Sequence, residues 1–209
     1  MKYILSFDIE ADNKTPTVGS MRQLGIFTED ENGDEKTFCV NIQRQEGEGI
    51  SENPDTVKWL KEQGVYERLD EGAVTPAEAM QLLSDWLKDL RDSGDGKNKF
   101  HWVAKPAAFD WMWLASYYHR YGPADKIDIG FKATCIASKR DAFFEVYFAS
   151  MGGDGFDPSS KKWELEKRMM EGPLNHDALD DARKQYRLYQ KINVLLPLIG
   201  SGKYDKMTF

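Results

Sequence analysis

The alternation of apolar and polar residues predicts three strands at the start of the chain. Residues 3–9 are apolar and β-prone, and similar stretches at 23–28 and 37–42 predict a second and a third strand. Residues 30–34 include Asn-Gly, a pair typical of hairpin turns because both positions tolerate positive φ. We therefore expect the chain to begin with an antiparallel meander.

Helical spacing dominates after the meander. Thr75 precedes Pro76 and lies three residues before Glu78, which is typical of a capped helix start. Ahead of it, a short helix is predicted to turn Trp59 and Leu60 inward. The remaining predictions are a helix with apolar positions 79, 82, 83, 86 and 90, a buried strand at 100–104, and helices at 109–121 and 178–196.

The segment 127–170 has the weakest pattern. It predicts a strand near 127–135, a flexible loop at 152–160 and a helix at 164–170. Strands followed by helices that alternate with one more strand indicate an α/β fold, in which a mixed central sheet with antiparallel strands 1–3 is flanked by helices. No linker divides the sequence, so we expect one domain over residues 1–209.

Composition and charge restrict the function. The 209 residues carry a net charge of −7, which argues against a tight, non-specific binder of duplex nucleic acid. Part of this charge would be neutralised if the acids bind metal ions. The sequence shows neither a signal peptide nor an apolar stretch of about 18 residues, so no membrane partner is expected. Cys39 and Cys135 form no CxxC motif and are predicted to be buried free thiols of a cytoplasmic protein.

Two acids share one face at the end of the first predicted strand. Strand alternation directs Asp8 and Glu10 to one side and Ile9 to the other. Adjacent carboxylates repel each other unless a cation lies between them, and hard divalent cations prefer oxygen ligands. The pattern therefore indicates a metal site, although a short Asp-x-Glu motif can also lie in solvent beyond the strand end.

Two later segments supply matching groups. Asp110 follows small residues at the start of an aromatic helix, where an acid can bind a metal or simply cap the helix. His176 precedes the last helix, where it can reach a substrate as a general base, and Asp181 lies one turn inside that helix. Asp177 and Asp180 are predicted to face water. Each segment alone is a weak signal, but together they indicate metal-dependent hydrolysis of a phosphodiester.

These motifs resemble those of the DEDD superfamily of 3′–5′ exonucleases, which includes RNase T and oligoribonuclease. Asp8 and Glu10 match the first motif, Asp110 the second, and His176 with Asp181 the third, in its histidine-containing DEDDh form. The resemblance implies an RNase H-like fold of the DnaQ-like superfamily. It covers residues 3–28, 99–121 and 173–192.

The resemblance also implies a chemistry and a substrate. The four carboxylates would hold two Mg²⁺ or Mn²⁺ ions, and His176 would act as the general base. Single-stranded 3′ ends of RNA or DNA would be degraded to nucleoside 5′-monophosphates. The implied catalytic set is Asp8, Glu10, Asp110, His176 and Asp181, of which the four acids are the metal ligands. Many relatives are dimers, so a homodimer fits the resemblance, although no apolar stripe in the sequence calls for one.

The chain departs from the resembled family at two places beside the expected 3′-terminal nucleotide. Ala11-Asp12 replaces the common Thr-Gly pair, and Lys105-Pro106 replaces a common His or Asn. Both departures leave the metal chemistry intact but affect substrate preference. Substrate contacts are expected from Ala11, Trp102, Phe109 and Trp111, with a role in the core as the stronger expectation for each aromatic residue.

Two other interpretations remain open at the level of sequence. One is a catalytically silent member of the exonuclease fold that binds nucleic acid or accompanies a polymerase. The other is an unrelated acidic interaction protein in which the motifs occur by chance. Five intact motif residues argue against the silent module, which has no need for all of them. Absence of bound Mn²⁺ and insensitivity to a chelator would support the interaction protein.

Overall fold

A five-stranded mixed sheet forms the centre of the molecule. The computed structural model describes residues 2–93, 98–150 and 158–201. The strand order is β3-β2-β1-β4-β5, with β1, β2 and β3 antiparallel and with β4 and β5 parallel to β1. The predicted mixed sheet with an antiparallel opening is therefore confirmed. The strands are β1 Lys2–Ala11, β2 Met21–Glu29, β3 Glu35–Asn41, β4 Lys99–Ala104 and β5 Thr134–Cys135.

Helices cover both faces of the sheet. Helix α6 packs against β1 and β2 on one face, while Leu83 of α2 and Leu114 of α3 join Leu5 and Phe7 in the core on the other. Because both faces are covered, β1 is buried almost without interruption from Tyr3 to Ala11. The helices are α1 Pro54–Glu62, a 3₁₀ turn at Glu67–Asp70, α2 Pro76–Asp92, α3 Ala107–Tyr121, α4 Ile136–Ser150, α5 Pro158–Met170 and α6 Ala178–Gly200.

The segment 127–135 differs from its prediction. Only Thr134–Cys135 forms a strand, and the preceding residues pack against the core in irregular conformation. Ile127 and Ile129 alternate as in a strand because both contact the core, but they join no ladder. Helix α4 was not predicted, since apolar residues such as Phe143 and Phe144 do not confine themselves to one face. The predicted loop at 152–160 lies partly outside the described residues, and its last three positions belong to α5.

Four side chains differ in burial from their predicted positions. Leu60 is buried, as expected, but Trp59 is 39% exposed and Leu82 is 46% exposed. A short helix at the rim of the fold has only a narrow inner face, which Leu60 occupies. Both cysteines are free thiols, yet Cys39 is exposed and Cys135 is only half-buried, because each lies in a strand at an edge of the sheet.

The start of α6 lies directly on β2. A methyl group added to Gly25 would come within 2.2 Å of the backbone of Ala178 and Leu179. Gln23, on the same strand, accepts a hydrogen bond from the Ala178 N–H through its side-chain oxygen at 2.8 Å. The glycine permits the close approach and the glutamine satisfies a free N–H of the helix, so together they fix the end of α6 that carries Asp181.

Gly25→Ala is expected to destabilise the fold, because the new methyl group would force α6 away from the sheet. We expect a loss of about 2 kcal/mol, or a melting temperature lower by about 4–8 °C. Gly200→Ala is the matched control, since a methyl group at that helical glycine would meet nothing within 4 Å. Thermal unfolding of both variants by circular dichroism checks the prediction. Equal melting temperatures would show that β2 and α6 are not in close contact.

Candidate active site

Strand β1 delivers two carboxylates to one side of the sheet. Asp8 and Glu10 are 8% and 6% exposed, and both lie toward α6, whereas Ile9 joins the core on the opposite face. The alternation expected from the sequence therefore holds to the end of the strand. Just after Glu10, the register of β1 against β2 shifts by an irregularity, so the regular ladder ends where the acids lie.

Helix α3 brings the third carboxylate to the same end of the sheet. Strand β4 runs parallel to β1, so the helix that follows it begins beside the end of β1. Asp110 in the first turn of α3 is 2% exposed. Its Oδ2 is buried and has no hydrogen-bond partner among the described residues. A simple helix cap would be hydrogen-bonded or solvated, so this orphaned oxygen indicates a ligand atom that points at something else.

The N-terminus of α6 holds the fourth carboxylate and the histidine. Asp177 caps the helix by accepting a hydrogen bond from the N–H of Asp180 at 3.1 Å. Asp181 accepts from the N–H groups of Asn175 and His176 at 2.9 and 3.0 Å, which ties the preceding loop to the helix. His176 adopts a left-handed backbone conformation with φ of 61°. The loop histidine is therefore fixed by the same carboxylate that faces the cluster.

His176 lies between the carboxylates and a tryptophan. Its Nδ1 is 3.8 Å from Oε1 of Glu10, and one ligand atom each from Glu10, His176 and Asp181 lies within 4.8 Å of the other two. The Trp59 ring packs edge-on against the imidazole with 4.4 Å between ring centroids. The position is compatible with a general base and also with a metal ligand.

The cluster opens into a cleft of about 330 Å³. Two of the expected substrate residues, Ala11 and Phe109, belong to its lining. Trp102 does not, because it is 3% exposed and packs edge-on against Phe7 at 5.5 Å. Trp111 lines a separate cleft between α3 and residues 124–131. Geometry therefore supports only Ala11 and Phe109 as substrate contacts. The cleft is lined by Asp8, Ile9, Glu10, Ala11, Asn13, Lys14, Thr56, Trp59, Lys105, Pro106, Phe109, Asp110, Leu174, His176 and Asp181.

Burial makes the cluster electrostatically costly. It raises the pKa of Asp8 and of Glu10 well above the usual range, and the neighbouring carboxylates add to the rise. Burial also raises the pKa of Asp110 to about 8. The pKa of Asp181 rises less, since two backbone N–H groups stabilise its charge. Without cations, the site must therefore take up protons to relieve the repulsion.

The donor set fits hard divalent cations. Four carboxylates converge, and no lysine or arginine of the described residues forms an ion pair with any of them. Mg²⁺ and Mn²⁺ prefer carboxylate oxygens, and no described residue occupies Asp110 Oδ2. A metal ion would supply the positive charge that no described lysine or arginine places against these carboxylates.

Several supporting residues were not predicted. Gln185, one turn after Asp181, donates from Nε2 to Oδ1 of Asp8 at 2.7 Å. Trp59 was assigned to the core but covers His176. The helical spacing of Asp181 and Gln185 was a signal that could have placed Gln185 beside the site. Nothing in the local sequence connects Trp59 to a histidine so far along the chain.

Comparison with known proteins identifies the family. The model of the 3′–5′ exoribonuclease Rv2179c-like domain matches residues 4–193. The chain belongs to this family. The expectation of a 3′–5′ exonuclease of the DEDDh type, and hence of a hydrolytic enzyme, is confirmed. Membership of this exoribonuclease-like family also implies divalent metal ions, in agreement with the acidic cluster. No curated protein matches the chain in sequence.

Solved structures share the fold at low identity. The nuclease domain of 3′hExo, a DEDDh family member bound to rAMP, is 15% identical, with 93% of this chain and 92% of that domain covered and a TM-score of 0.57. A 3′-exonuclease that recognises the histone mRNA stem-loop is 15% identical, with coverage of 96% and 64% and a TM-score of 0.57. Exonuclease I is 11% identical, with coverage of 97% and 43% and a TM-score of 0.58. The chain thus spans less than half of exonuclease I. These likenesses establish the RNase H-like fold.

Within the described part of the chain, the helices are too short or too polar to cross a membrane.

Proposed function

We propose that this chain is a divalent-metal-dependent 3′–5′ exoribonuclease that removes nucleoside 5′-monophosphates from single-stranded ends. The observation that carries the proposal is the convergence of four buried carboxylates and one histidine on a single cleft, within a chain of the 3′–5′ exoribonuclease-like family. We further propose that residues 1–209 act as one domain, in support of which the family match spans 4–193. Its free thiols suit a cytoplasmic location.

The acids would hold two Mg²⁺ or Mn²⁺ ions. The proposed ligands are Asp8, Glu10, Asp110 and Asp181, whose mutual repulsion is the reason for the raised pKa values. When bound, the ions would supply charge stabilisation for a phosphodiester undergoing in-line displacement. Gln185 would keep Asp8 in its ligand orientation through the 2.7 Å hydrogen bond.

His176 would accept the proton of the attacking water. Burial lowers the pKa of its imidazole, with Asp181 opposing the change, so the ring is neutral near pH 7 and can take up a proton. The Glu10 carboxylate 3.8 Å from Nδ1 favours a proton on that nitrogen, which leaves Nε2 as the acceptor. Trp59 excludes water from one side of the ring.

The cleft would admit a single strand end. Ala11 leaves space beside the acids, and Phe109 offers a ring at the cleft surface on which a terminal base can stack without regard to sequence. A duplex end would have to unpair before its terminal phosphate reached the buried carboxylates. The net charge of −7 is also consistent with binding only one end rather than a long duplex. A homodimer remains an expectation from the resemblance.

The deciding experiment follows 5′-labelled single-stranded RNA and DNA of equal sequence over time, with Mg²⁺ or Mn²⁺. We expect the RNA to shorten from its 3′ end into a ladder, with DNA cleaved more slowly. EDTA and the Asp8→Asn substitution should each remove the ladder. Thin-layer analysis of the product should show nucleoside 5′-monophosphates. A folded, metal-supplied protein that cleaves neither strand would contradict the proposal and favour a catalytically silent binding module.

A further inference from the structure

Lys105 places a positive charge in the acidic cleft. It lies in the turn between β4 and α3, where the sequence departs from the resembled family. Among the described residues that line the cleft, Lys14 and Lys105 are the two lysines, and no arginine is present. Lys14 is exposed, whereas the Lys105 side chain is only 14% exposed. Lys105 is therefore held at the wall of the cleft instead of extending into solvent.

Glu166 on α5 fixes the ammonium of Lys105. Oε1 of Glu166 lies 2.5 Å from Lys105 Nζ, and the Glu166 side chain is 11% exposed. Arg140 on α4 donates from Nη1 to both oxygens of Glu166 at 2.8 Å. The carboxylate is thus held by two cations from two different elements, which restricts where the lysine can go.

Within the described part of the chain, this ion-pair network has one more positive charge than negative charges. Arg140 also pairs with Asp141, which is in turn 3.7 Å from Lys162. Three cations therefore share two carboxylates. An ammonium has three N–H donors, and Glu166 accepts only one contact from Lys105. Among the described residues Lys105 Nζ forms no other ion pair, so its remaining donors can bind another anion.

A nucleic-acid strand supplies that anion. Its phosphates approach a cleft whose own carboxylates repel them, so a fixed cation beside the entrance improves binding. A lysine on a long flexible stem loses side-chain entropy on binding a phosphate, and an existing ion pair reduces that loss. Lys105 does not pair with the four clustered carboxylates, which leaves it available to a phosphate outside the metal site.

We propose that Lys105 binds a phosphate of the substrate strand next to the cleaved one, and that Glu166 and Arg140 hold it in place. Lys105 is thus a substrate-binding residue, and Glu166 is a positioning residue. The inference rests on the proposed exonuclease function and adds to it a phosphate subsite on the side of the cleft where Lys105 lies.

The test compares Lys105→Gln, Lys105→Arg and Glu166→Gln with Lys162→Gln. The last variant also removes a lysine from this ion-pair network, but Lys162 does not line the cleft. For Lys105→Gln on single-stranded RNA, we expect KM to rise about tenfold while kcat changes less than about threefold, because the contact persists through the reaction. Lys105→Arg should stay near wild type, Glu166→Gln should show a smaller rise in KM, and Lys162→Gln should behave as wild type.

Salt dependence gives a second readout, which a purely structural role would not change. In EDTA, without cleavage, the slope of log binding constant against log salt should fall by about 0.7 in Lys105→Gln, the value for one lost contact to a single strand. If Lys105→Gln melts like wild type and leaves both KM and the salt slope unchanged, the inference is overturned. So would an equal loss in Lys162→Gln, or a fall in kcat at constant KM.

The proposed function and the phosphate subsite fail in different ways. If wild type does not cleave, the proposed function fails, and the salt slope in EDTA still decides whether Lys105 binds a phosphate. If wild type cleaves and Lys105→Gln matches it in KM and slope, only the subsite is wrong. Should Glu166→Gln unfold, the two Lys105 variants remain sufficient for the decision.

Discussion

Asp110→Asn should reduce RNA hydrolysis by about 1,000-fold or more and, in metal-free buffer, raise the melting temperature. The loss corresponds to about 4 kcal/mol of transition-state stabilisation, which is of the size expected when a catalytic metal site is impaired. Asp110 is 2% exposed and its Oδ2 has no protein partner among the described residues, so in the metal-free fold the cost of burying its charge outweighs the backbone hydrogen bonds that stabilise that charge. The same substitution is therefore expected to harm catalysis and help stability.

The stabilisation should depend on pH with a definite sign. Burial raises the pKa of Asp110 in the folded protein to about 8, from an ordinary value of 3.8. The folded protein keeps this proton more tightly than the unfolded chain. Its contribution to stability is therefore fully present when the pH is below the ordinary pKa, and it is lost as the pH rises toward 8. Asparagine resembles the protonated form at every pH. The gain from Asp110→Asn should thus be small at pH 5 and reach about 1–3 kcal/mol near pH 8.

The measurement combines single-turnover hydrolysis with thermal unfolding in EDTA at pH 5 and pH 8. Asp180→Asn is the matched control, because Asp180 is one residue from Asp181 but pairs with Lys184 at 2.5 Å outside the cleft. It should retain hydrolysis and gain no stability as the pH rises. An Asp110→Asn protein that is less stable than wild type at pH 8 would contradict the prediction, because it would show that the backbone hydrogen bonds to this carboxylate outweigh the cost of its buried charge.

Local sequence was sufficient for the residues that carry the proposed chemistry. The alternation along β1 placed Asp8 and Glu10 on one face, and the predicted start of the last helix placed His176 in the preceding loop with Asp181 one turn inside. Such inferences succeed because each depends on a few neighbouring residues and on the fixed geometry of a strand or a helix. The parallel pairing of β1 with β4, which brings Asp110 to the same place, joins distant segments and was not predicted.

The parts that escaped prediction depend on contacts between distant segments. Ile127 and Ile129 have the spacing of a strand but lack a ladder partner, and only the assembled core decides this. Likewise, Trp59 and Leu60 were both expected to face inward. The sequence of a short helix does not show which of two adjacent apolar residues is buried. The pairing of Lys105 with Glu166 joins a turn to a helix in the weakest part of the pattern. Nothing in the sequence around Lys105 or around Glu166 indicates that the two residues pair.

His176→Gln is expected to lower kcat by about 10²–10⁴-fold while divalent ions still stabilise the protein. Glutamine keeps a polar side chain of similar reach but cannot take up a proton. If the four carboxylates alone hold the ions, Mn²⁺ at about 100 times its dissociation constant should raise the melting temperature of this variant by roughly 5–10 °C, as in wild type. His119→Gln, which changes an exposed histidine on α3, should leave both kcat and this rise unchanged.

The size of the metal-induced rise distinguishes the two roles that the geometry allows. Ligand atoms of Glu10, His176 and Asp181 lie within 4.8 Å of one another, so a histidine ligand is sterically feasible. A ligand role would make the variant lose both hydrolysis and the Mn²⁺-induced rise. The surroundings favour a base, because hard divalent ions prefer oxygen ligands and the four acids already provide them. Moreover, Asp181 accepts the backbone N–H of His176 at 3.0 Å, so the carboxylate that would hold a metal ion also positions the proton acceptor beside it.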